Sequence, residues 1–310
     1  MVSAPFSELV GQEQATKLLL RAIATHRIAP AYLFVGPHGV GRRLAAQAFL
    51  QQLLQGSTHR AIENHPDVLW IEPTYTQQGK LITVSALAAK GDKPPKAQPQ
   101  VRLAQIRQIA QFLSQSPLEA ARQCVVIDHA ETMKEAAANG LLKTLEEPGS
   151  ATLILLAPTA DSLLPTLVSR CQQIPFRPLS AAHMQQVLGQ AGHAEVLSNI
   201  PVLSMAQGSP GAAITAWEQL QTIPSELLER CHLCPTTASD CLALAQSVEQ
   251  SLEVDAQLWL IDYLQQIDWQ TYGQAQRLHI LETARRYLRS YAQPRLVWEV
   301  TLLELMETVP

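Results

Sequence analysis

Apolar and polar positions alternate in blocks along the first part of the chain. Apolar runs stand at 33–36 (LFVG), 67–71 (DVLWI), 124–128 (CVVID) and 152–157 (TLILLA), with a weaker one at 172–176 (QQIPF). Short apolar runs separated by helix-like segments predict a parallel α/β sheet covered on both faces. The segment RRLAAQAFLQQLLQ, from 42 to 55, puts Leu44, Ala48 and Leu54 within reach of one helical face. It predicts the crossover helix between the first two strands.

From Pro73 to Gln100 the chain mixes Gly, Pro, Lys and Gln around a short apolar LITVSAL, which predicts an exposed insertion, a hairpin with a flexible arm. After Pro178 the strand pattern ends. Amphipathic helical segments follow, broken near Gly189, Pro201, Gly208–Gly211, Pro224, Pro235 and Pro294. An α/β half therefore precedes an all-α half, with a boundary near 178. A second boundary near 215 rests only on the GSPG break.

Composition narrows the class. The 310 residues are 47% hydrophobic and 16% charged, with 23 Lys plus Arg against 27 Asp plus Glu, a formal charge of −4. That excludes a disordered, collagenous or coiled-coil chain and fits two or three globular domains. A slightly acidic total confines any nucleic-acid contact to a local basic surface. The N-terminal MVSAPFSELVGQEQ lacks the pattern of a signal peptide, no apolar run is long enough for a membrane span, and five cysteines are scattered and odd in number. A cytoplasmic protein with no membrane contact is expected.

The segment AYLFVGPHGVGRRLAA sets a strand, a glycine-rich turn and a helix in the order of a phosphate-binding loop, G-x-x-x-x-G-K-[ST]. Gly36 and Gly41 take the two glycine positions, with Gly39 between them, but Arg42 and Arg43 stand where lysine and a hydroxyl belong. Arg42 keeps a charge able to attract an anion; Arg43 puts a cation where a metal's oxygen ligand would be. A tight strand-to-helix turn that needs glycine for backbone reasons is the alternative. The CVVID strand ends in Asp128, where nucleotide hydrolases of this architecture keep a metal-organising aspartate, followed here by His129 rather than glutamate. A helix-capping aspartate is the alternative for Asp128 alone.

Together VGQEQ at 10–14, AYLFVGPHGVG at 31–41, HPD at 65–67, LLKTLEEP at 141–148, LLPTLVSRCQQIPF at 163–176 and the C-terminal PRLVWEVTLLEL carry a resemblance. The chain resembles bacterial clamp-loader subunits of the AAA+ family, and within them the delta-prime type of DNA polymerase III, over essentially its whole length. The resemblance implies a RecA-like AAA+ domain over 1–178, a helical lid over 179–215 and a helical collar over 216–310 that joins a five-subunit ring. Its implied partners are gamma/tau-type motor subunits, a delta subunit, the sliding clamp and primed DNA.

In that family the match to LVSRC presents an arginine to the nucleotide of the adjacent subunit, which would make Arg170 an arginine finger flanked by Ser169 and Cys171. Pairing of Arg170 with a surface carboxylate is the plainer alternative. Thr159 matches a position that senses the γ-phosphate, and is equally an ordinary strand-end threonine. Arg42, Arg43, His129 and the missing lid arginine near Gly208–Gly211 together imply a subunit that does not hydrolyse ATP. No cofactor is required on this reading, and weak binding of ATP or ADP at Arg42 is left open. No zinc is expected: there is no cysteine between Leu54 and His65, and Cys231, Cys234 and Cys241 read as structural thiols. Arg102, Arg107 and Arg122 flank a helix that faces the central chamber in related rings, though a solvated helix face is the simpler reading. An ATP-hydrolysing motor subunit and a stand-alone AAA+-like nucleic-acid adaptor are the competing functions.

Overall fold

The computed structural model describes residues 6–54, 62–77, 79–91, 95, 97–233 and 235–308. Its contacts divide the chain into two compact units, Met1–His183 and Met184–Pro310.

In the first unit, α1 (Glu13–Ala24) leads into β1 (Ala31–Val35), and α2 (Arg42–Leu53) crosses to β2 (Val68–Ile71). A hairpin of β3 (Thr74–Gln77) and β4 (Lys80–Thr83) follows, with α3 (Val84–Ala89) behind it. Then come α4 (Leu103–Leu113), β5 (Cys124–Ile127), α5 (Glu135–Glu146), β6 (Thr152–Ala157), α6 (Pro165–Val168) and β7 (Gln172–Pro175). The main sheet runs β2-β5-β6-β1-β7, every pair parallel, in register Leu33↔Leu155 and Val126↔Ile154.

β5 and β6 are buried along their whole length, as an inner strand covered on both faces must be. On one face Leu33, Ile127, Leu153 and Leu155 pack with Ile106 and Ile109 of α4 and Leu141 and Leu145 of α5. On the other, the Tyr32 ring meets Phe49 of α2 edge-on at 5.2 Å. The buried face of α2 is Arg42, Ala45, Ala46, Phe49 and Leu50, the i, i+3, i+4, i+7, i+8 stripe. This corrects the expected face: Leu44 is 49% exposed, because the small Ala45 and Ala46 let the helix lie close on the sheet and Phe49 fills the gap.

The insertion is a hairpin, but its root is not exposed. Thr74, Tyr75 and Leu87 are buried, and Thr74 exchanges two backbone hydrogen bonds with Gln100 at 2.9 and 3.1 Å. Buried apolar contact at both ends thus overrides the polar composition. The HPD motif is structural as well. The His65 Nδ1 accepts the Asp67 N–H at 3.0 Å, and the buried Asp67 carboxylate accepts N–H groups of Leu118, Glu119 and Ala120 at 2.6 to 2.8 Å. Burial alone would raise the Asp67 pKa, but these three donors outweigh it and hold the group below its ordinary value.

In the second unit every regular element described is helical. After α7 (Ala181–Gln190), which spans the division, come α8 (Ile200–Ala206), α9 (Pro210–Gln221), α10 (Ser225–Leu233), α11 (Ala238–Ser251), α12 (Val254–Thr271), α13 (Ala275–Arg289) and α14 (Pro294–Glu307). Proline opens α8, α9 and α14 in their first turns, where its missing N–H costs nothing. The expected break near Gly189 is the end of α7, which stops one residue later at Gln190. Trp298 is fully buried and donates its indole N–H to Gln257 Oε1 at 2.9 Å, which explains the WEV of the C-terminal motif. Cys241 is buried, with its thiol 3.6 Å from the Leu302 carbonyl; Cys231 is half-buried, and Cys234 lies outside the described residues.

A buried ion pair ties α12 to α13. Arg277 is 2% exposed and meets Asp268 through Nε to Oδ2 at 3.1 Å and Nη2 to Oδ1 at 3.2 Å, while Nη1 donates to the Leu305 carbonyl at 3.1 Å. Burial pushes the Asp268 pKa up despite that partner. Arg277→Ala is expected to lower stability by about 3 kcal/mol, since it strands a buried carboxylate. The double change Arg277→Met with Asp268→Leu should recover most of that loss in urea denaturation.

Candidate functional site

Parallel strands bring their carboxyl ends to one edge of the sheet, and the segments that leave β1, β2, β5 and β6 meet there. β1 delivers Gly36, whose N–H donates to the Ala157 carbonyl at the end of β6 at 3.2 Å. A Cβ at Gly36 would lie 2.4 Å from the Phe176 carbonyl oxygen, so no other residue fits. The loop ends at Gly41, φ 102°, the N-cap of α2, where no side chain caps the helix. Gly39 also has a positive φ of 74°. Gln12 of the VGQ segment fixes the loop from outside: its Nε2 donates to the carbonyls of Val40 and Arg177 at 3.2 and 2.7 Å, and its Oε1 accepts the Arg177 N–H at 3.0 Å.

The two arginines that follow behave differently. Arg42 is 5% exposed; its Nη2 donates to His38 Nδ1 at 2.9 Å, and its buried Nη1 has no hydrogen-bond partner among the described residues. Burial lowers its pKa. Arg43 is half-exposed and meets three carboxylates: Glu63 Oε1 at 2.7 Å, Glu72 Oε1 at 3.3 Å and Asp128 Oδ2 at 3.3 Å. Its guanidinium also lies 4.8 Å from the centre of the Trp70 ring. Burial works against the charge, but the Glu63 hydrogen bond and the surrounding acids outweigh it and raise the Arg43 pKa.

Asp128, at the end of β5, is buried and accepts the His129 N–H at 2.9 Å, besides its bond to Arg43. His129 sits in the left-handed region, φ 50°, and its ring stacks on His38 at 4.8 Å. Glu131 Oε1 lies 3.3 Å from His129 Nδ1 and 3.5 Å from His38 Nε2. Sequence reasoning brought Arg42, Arg43, Asp128 and His129 to one place. It missed Glu63, Glu72 and His38, although Glu72 is the first residue past a predicted strand and His38 lies within the glycine-rich motif; Glu131, two residues beyond His129, is expected from turn geometry to lie apart from this point but in fact meets both histidines.

The remaining candidates lie along the same unit. Thr159 is exposed, two residues beyond the end of β6, and makes no side-chain cap to the turn it begins. Arg170 follows α6 on the surface. Its Nη2 meets Glu146 Oε1 at 2.7 Å and its Nη1 donates to the Thr166 carbonyl at 3.0 Å. Ser169 donates to that same carbonyl at 3.2 Å. Cys171 is half-buried against the core, where burial pushes its thiol up to about 11. In the second unit, Ser209 of the GSPG segment caps α9 by accepting the Ala212 N–H at 3.1 Å. Arg102 precedes α4, Arg107 is exposed, and Arg122 donates to Thr152 Oγ1 at 3.0 Å.

Residues 11–180 match the family described as DNA polymerase III, delta subunit, and residues 182–305 match the C-terminal domain of cyanobacterial DNA polymerase III delta prime. The chain belongs to the DNA polymerase III delta-prime family.

Among delta-prime relatives, subunit delta' of Bacillus subtilis is 32% identical over 181 residues, 54% of this chain and 48% of that protein. Subunit delta' of Pseudomonas aeruginosa is 32% identical over 199 residues, 59% of this chain and 54% of that protein. The chain thus spans about half the length of these curated relatives. A crystal structure of a DNA polymerase III gamma subunit-related protein from Thermotoga maritima shares the fold, with TM-score 0.58 and 20% identity over 95% of this chain and 99% of that one. In this delta-prime family member, no helix among the described residues is long and apolar enough to cross a membrane.

The histidines of the site make a prediction. Its hydrogen bond to Glu131 raises the His129 pKa above the usual 6.5, whereas burial and then Arg42 lower that of His38. A histidine raised by its partner stabilises the fold fully below pH 6.5 and loses that contribution as pH rises through its folded value. In an NMR titration His129 should therefore titrate after His38 as pH rises. Glu131→Gln should bring the His129 midpoint down, and remove the stability that wild type loses above pH 6.5.

Proposed function

We propose that this chain is a non-hydrolysing subunit of a replicative clamp loader. On this reading it holds one place in a five-subunit ring with gamma/tau-type motor subunits and a delta subunit. It helps place the sliding clamp on primed DNA and supplies Arg170 to the nucleotide held by its neighbour. The observation that carries the first part is the bridge from Arg43 to Asp128. A working phosphate loop joins these two positions through magnesium; here a guanidinium joins them directly at 3.3 Å. The glutamate that activates water in active enzymes has no counterpart next to Asp128, where His129 stands.

Delta-prime family membership and the surface position of Arg170 support the finger. Its side chain is partly exposed, and its partner Glu146 is more exposed still, 37% against 51%. Exposed pairs of this kind contribute roughly 1 kcal/mol or less, so a neighbouring phosphate outcompetes Glu146 for the guanidinium. The all-helical second unit supports a division into a lid, 179–215, and a collar, 216–310, that contacts the neighbours. In the lid segment Ser209 is engaged in capping α9, and Gly208, Pro210 and Gly211 offer no charge toward a nucleotide.

The reading is tested by ATP hydrolysis. The isolated chain should show no turnover. The complex reconstituted with motor and delta subunits on primed DNA should lose about tenfold or more of its rate on Arg170→Ala, a conservative figure beside the ~10³ to 10⁵ that arginine fingers contribute elsewhere. Glu146→Ala should leave that rate intact or raise it. Turnover by the chain alone would point to a motor subunit, and an unchanged Arg170→Ala complex would remove the finger.

A further inference from the structure

The second unit, Met184–Pro310, carries 14 Asp plus Glu against 6 Lys plus Arg, a formal charge of −8. Four of those six bases, Arg285, Arg286, Arg289 and Arg295, fall within 11 residues at the corner where α13 turns into α14, and no acid stands among them. Arg285 is engaged by Asp262 and Glu282 at 2.9 and 3.1 Å. The other three are exposed and weakly held. Arg289 makes no hydrogen bond or ion pair among the described residues, and the acid whose field it shares, Asp262, is already on Arg285. Arg286 donates to Thr283 Oγ1 at 3.4 Å. Arg295 meets Glu299 at 2.8 Å across one helical turn, in the weaker order with the base first.

Helix electrostatics accounts for only part of this. Arg286 and Arg289 stand in the last turn of α13, where they oppose the negative end of its dipole, but Arg295 stands in the first turn of α14, where a cation is unfavourable. Tyr291 is a second unfavourable choice at the same corner. It follows the C-cap residue Ser290 with φ 61°, a position suited to glycine, and at 92% exposure no packing offsets the strain. Its N–H and that of Ala292 donate to the Leu288 and Tyr287 carbonyls at 3.2 and 3.1 Å, which fixes the corner. Tyr287, 53% exposed, lines an apolar hollow of about 350 Å³ with Leu296 and Val300, and Glu304 on its wall keeps phosphate out.

We infer that the α13–α14 corner is a contact for single-stranded nucleic acid, in which Arg286, Arg289 and Arg295 meet phosphates while bases stack on Tyr291 and Tyr287. Cations alone would suit any polyanion, an acidic protein surface included. Exposed aromatic rings beside them favour a strand with bases, because every base has a face that stacks. A duplex keeps those faces on one another, so only a single strand satisfies the rings and the arginines together. The inference goes beyond the proposed function and needs neither Arg170, nor the glycine-rich loop, nor ring assembly.

Fluorescence anisotropy of a labelled dT oligonucleotide, titrated with the full chain at low salt, tests this contact. Saturable binding is expected, with log affinity falling against log salt at a slope of about −2, the ~0.7 per neutralised phosphate of a single strand taken over three arginines. Arg286→Gln combined with Arg289→Gln should bring that slope to about −0.7. Tyr291→Gly separates binding from folding. It should bind at least about fivefold more weakly, the low end for losing one stacked base, while its melting temperature by circular dichroism stays level or rises, because glycine suits that φ. An abasic oligonucleotide of the same length should bind wild type at least about fivefold more weakly than dT. The inference is overturned if binding does not saturate by about 100 µM chain, the weak end of non-specific association. It is overturned equally if the variants bind as wild type does, which would put the strand elsewhere, or if the abasic strand binds as well as dT, which would make the corner a site for an acidic protein surface. None of these outcomes touches the ATP-hydrolysis test of the proposed function.

Discussion

A parallel sheet covered on both faces leaves nowhere for polar chemistry except its edges. In this chain β5 and β6 are buried from end to end, and the residues with charge to use are pushed to where the strands stop. Gly36, Glu72 and Asp128 each lie one residue past a strand, and Thr159 two. They come near one another because the register of four parallel strands aligns those ends, not because any of them attracts another. The reading of this site as non-hydrolysing depends on that alignment.

Given the edge, electrostatics decides what it can do. A site that uses a mobile divalent ion changes its charge as the ion and nucleotide come and go. Arg43 is part of the chain, so the carboxylates around it have a counter-charge that does not leave with a ligand. Gln12 adds to this from outside, joining Val40 in the loop to Arg177 beyond β7. A fixed charge of this kind is consistent with the proposed non-hydrolysing role.

Much of the fold was legible in the sequence, because period and composition report burial directly. All five main strands were visible as apolar runs, and the change at 178 separated sheet from helices. The misreading of α2 has a simple cause: the expected stripe was laid through Leu44, Ala48 and Leu54, of which only Leu54 is buried, while the small Ala45 and Ala46 with Phe49 and Leu50 form the face on the sheet. At the site, the sequence disclosed what had been replaced but not what the replacements bond to. Glu63 meets Arg43 from 20 positions away with no motif to mark it. His38 and Glu131 are neighbours only because the loop after β1 and the turn after β5 share an edge. The HPD motif and Trp298 were legible as family features, yet their reasons, a carboxylate holding three backbone donors and an indole bonded to Gln257, are visible only in three dimensions.

The Arg43 network also bears on how readily such a chain could regain a metal-dependent loop. Exchanging Arg43 for a hydroxyl in a single step would leave Glu63, Glu72 and Asp128 converging on one point without their counter-charge. Each half-way form would carry mutual repulsion among three acids before an ion could reward it. The bridge therefore ties position 43 to 63, 72 and 128, and a neutral side chain at 43 leaves three carboxylates whose repulsion only a cation or a proton can relieve.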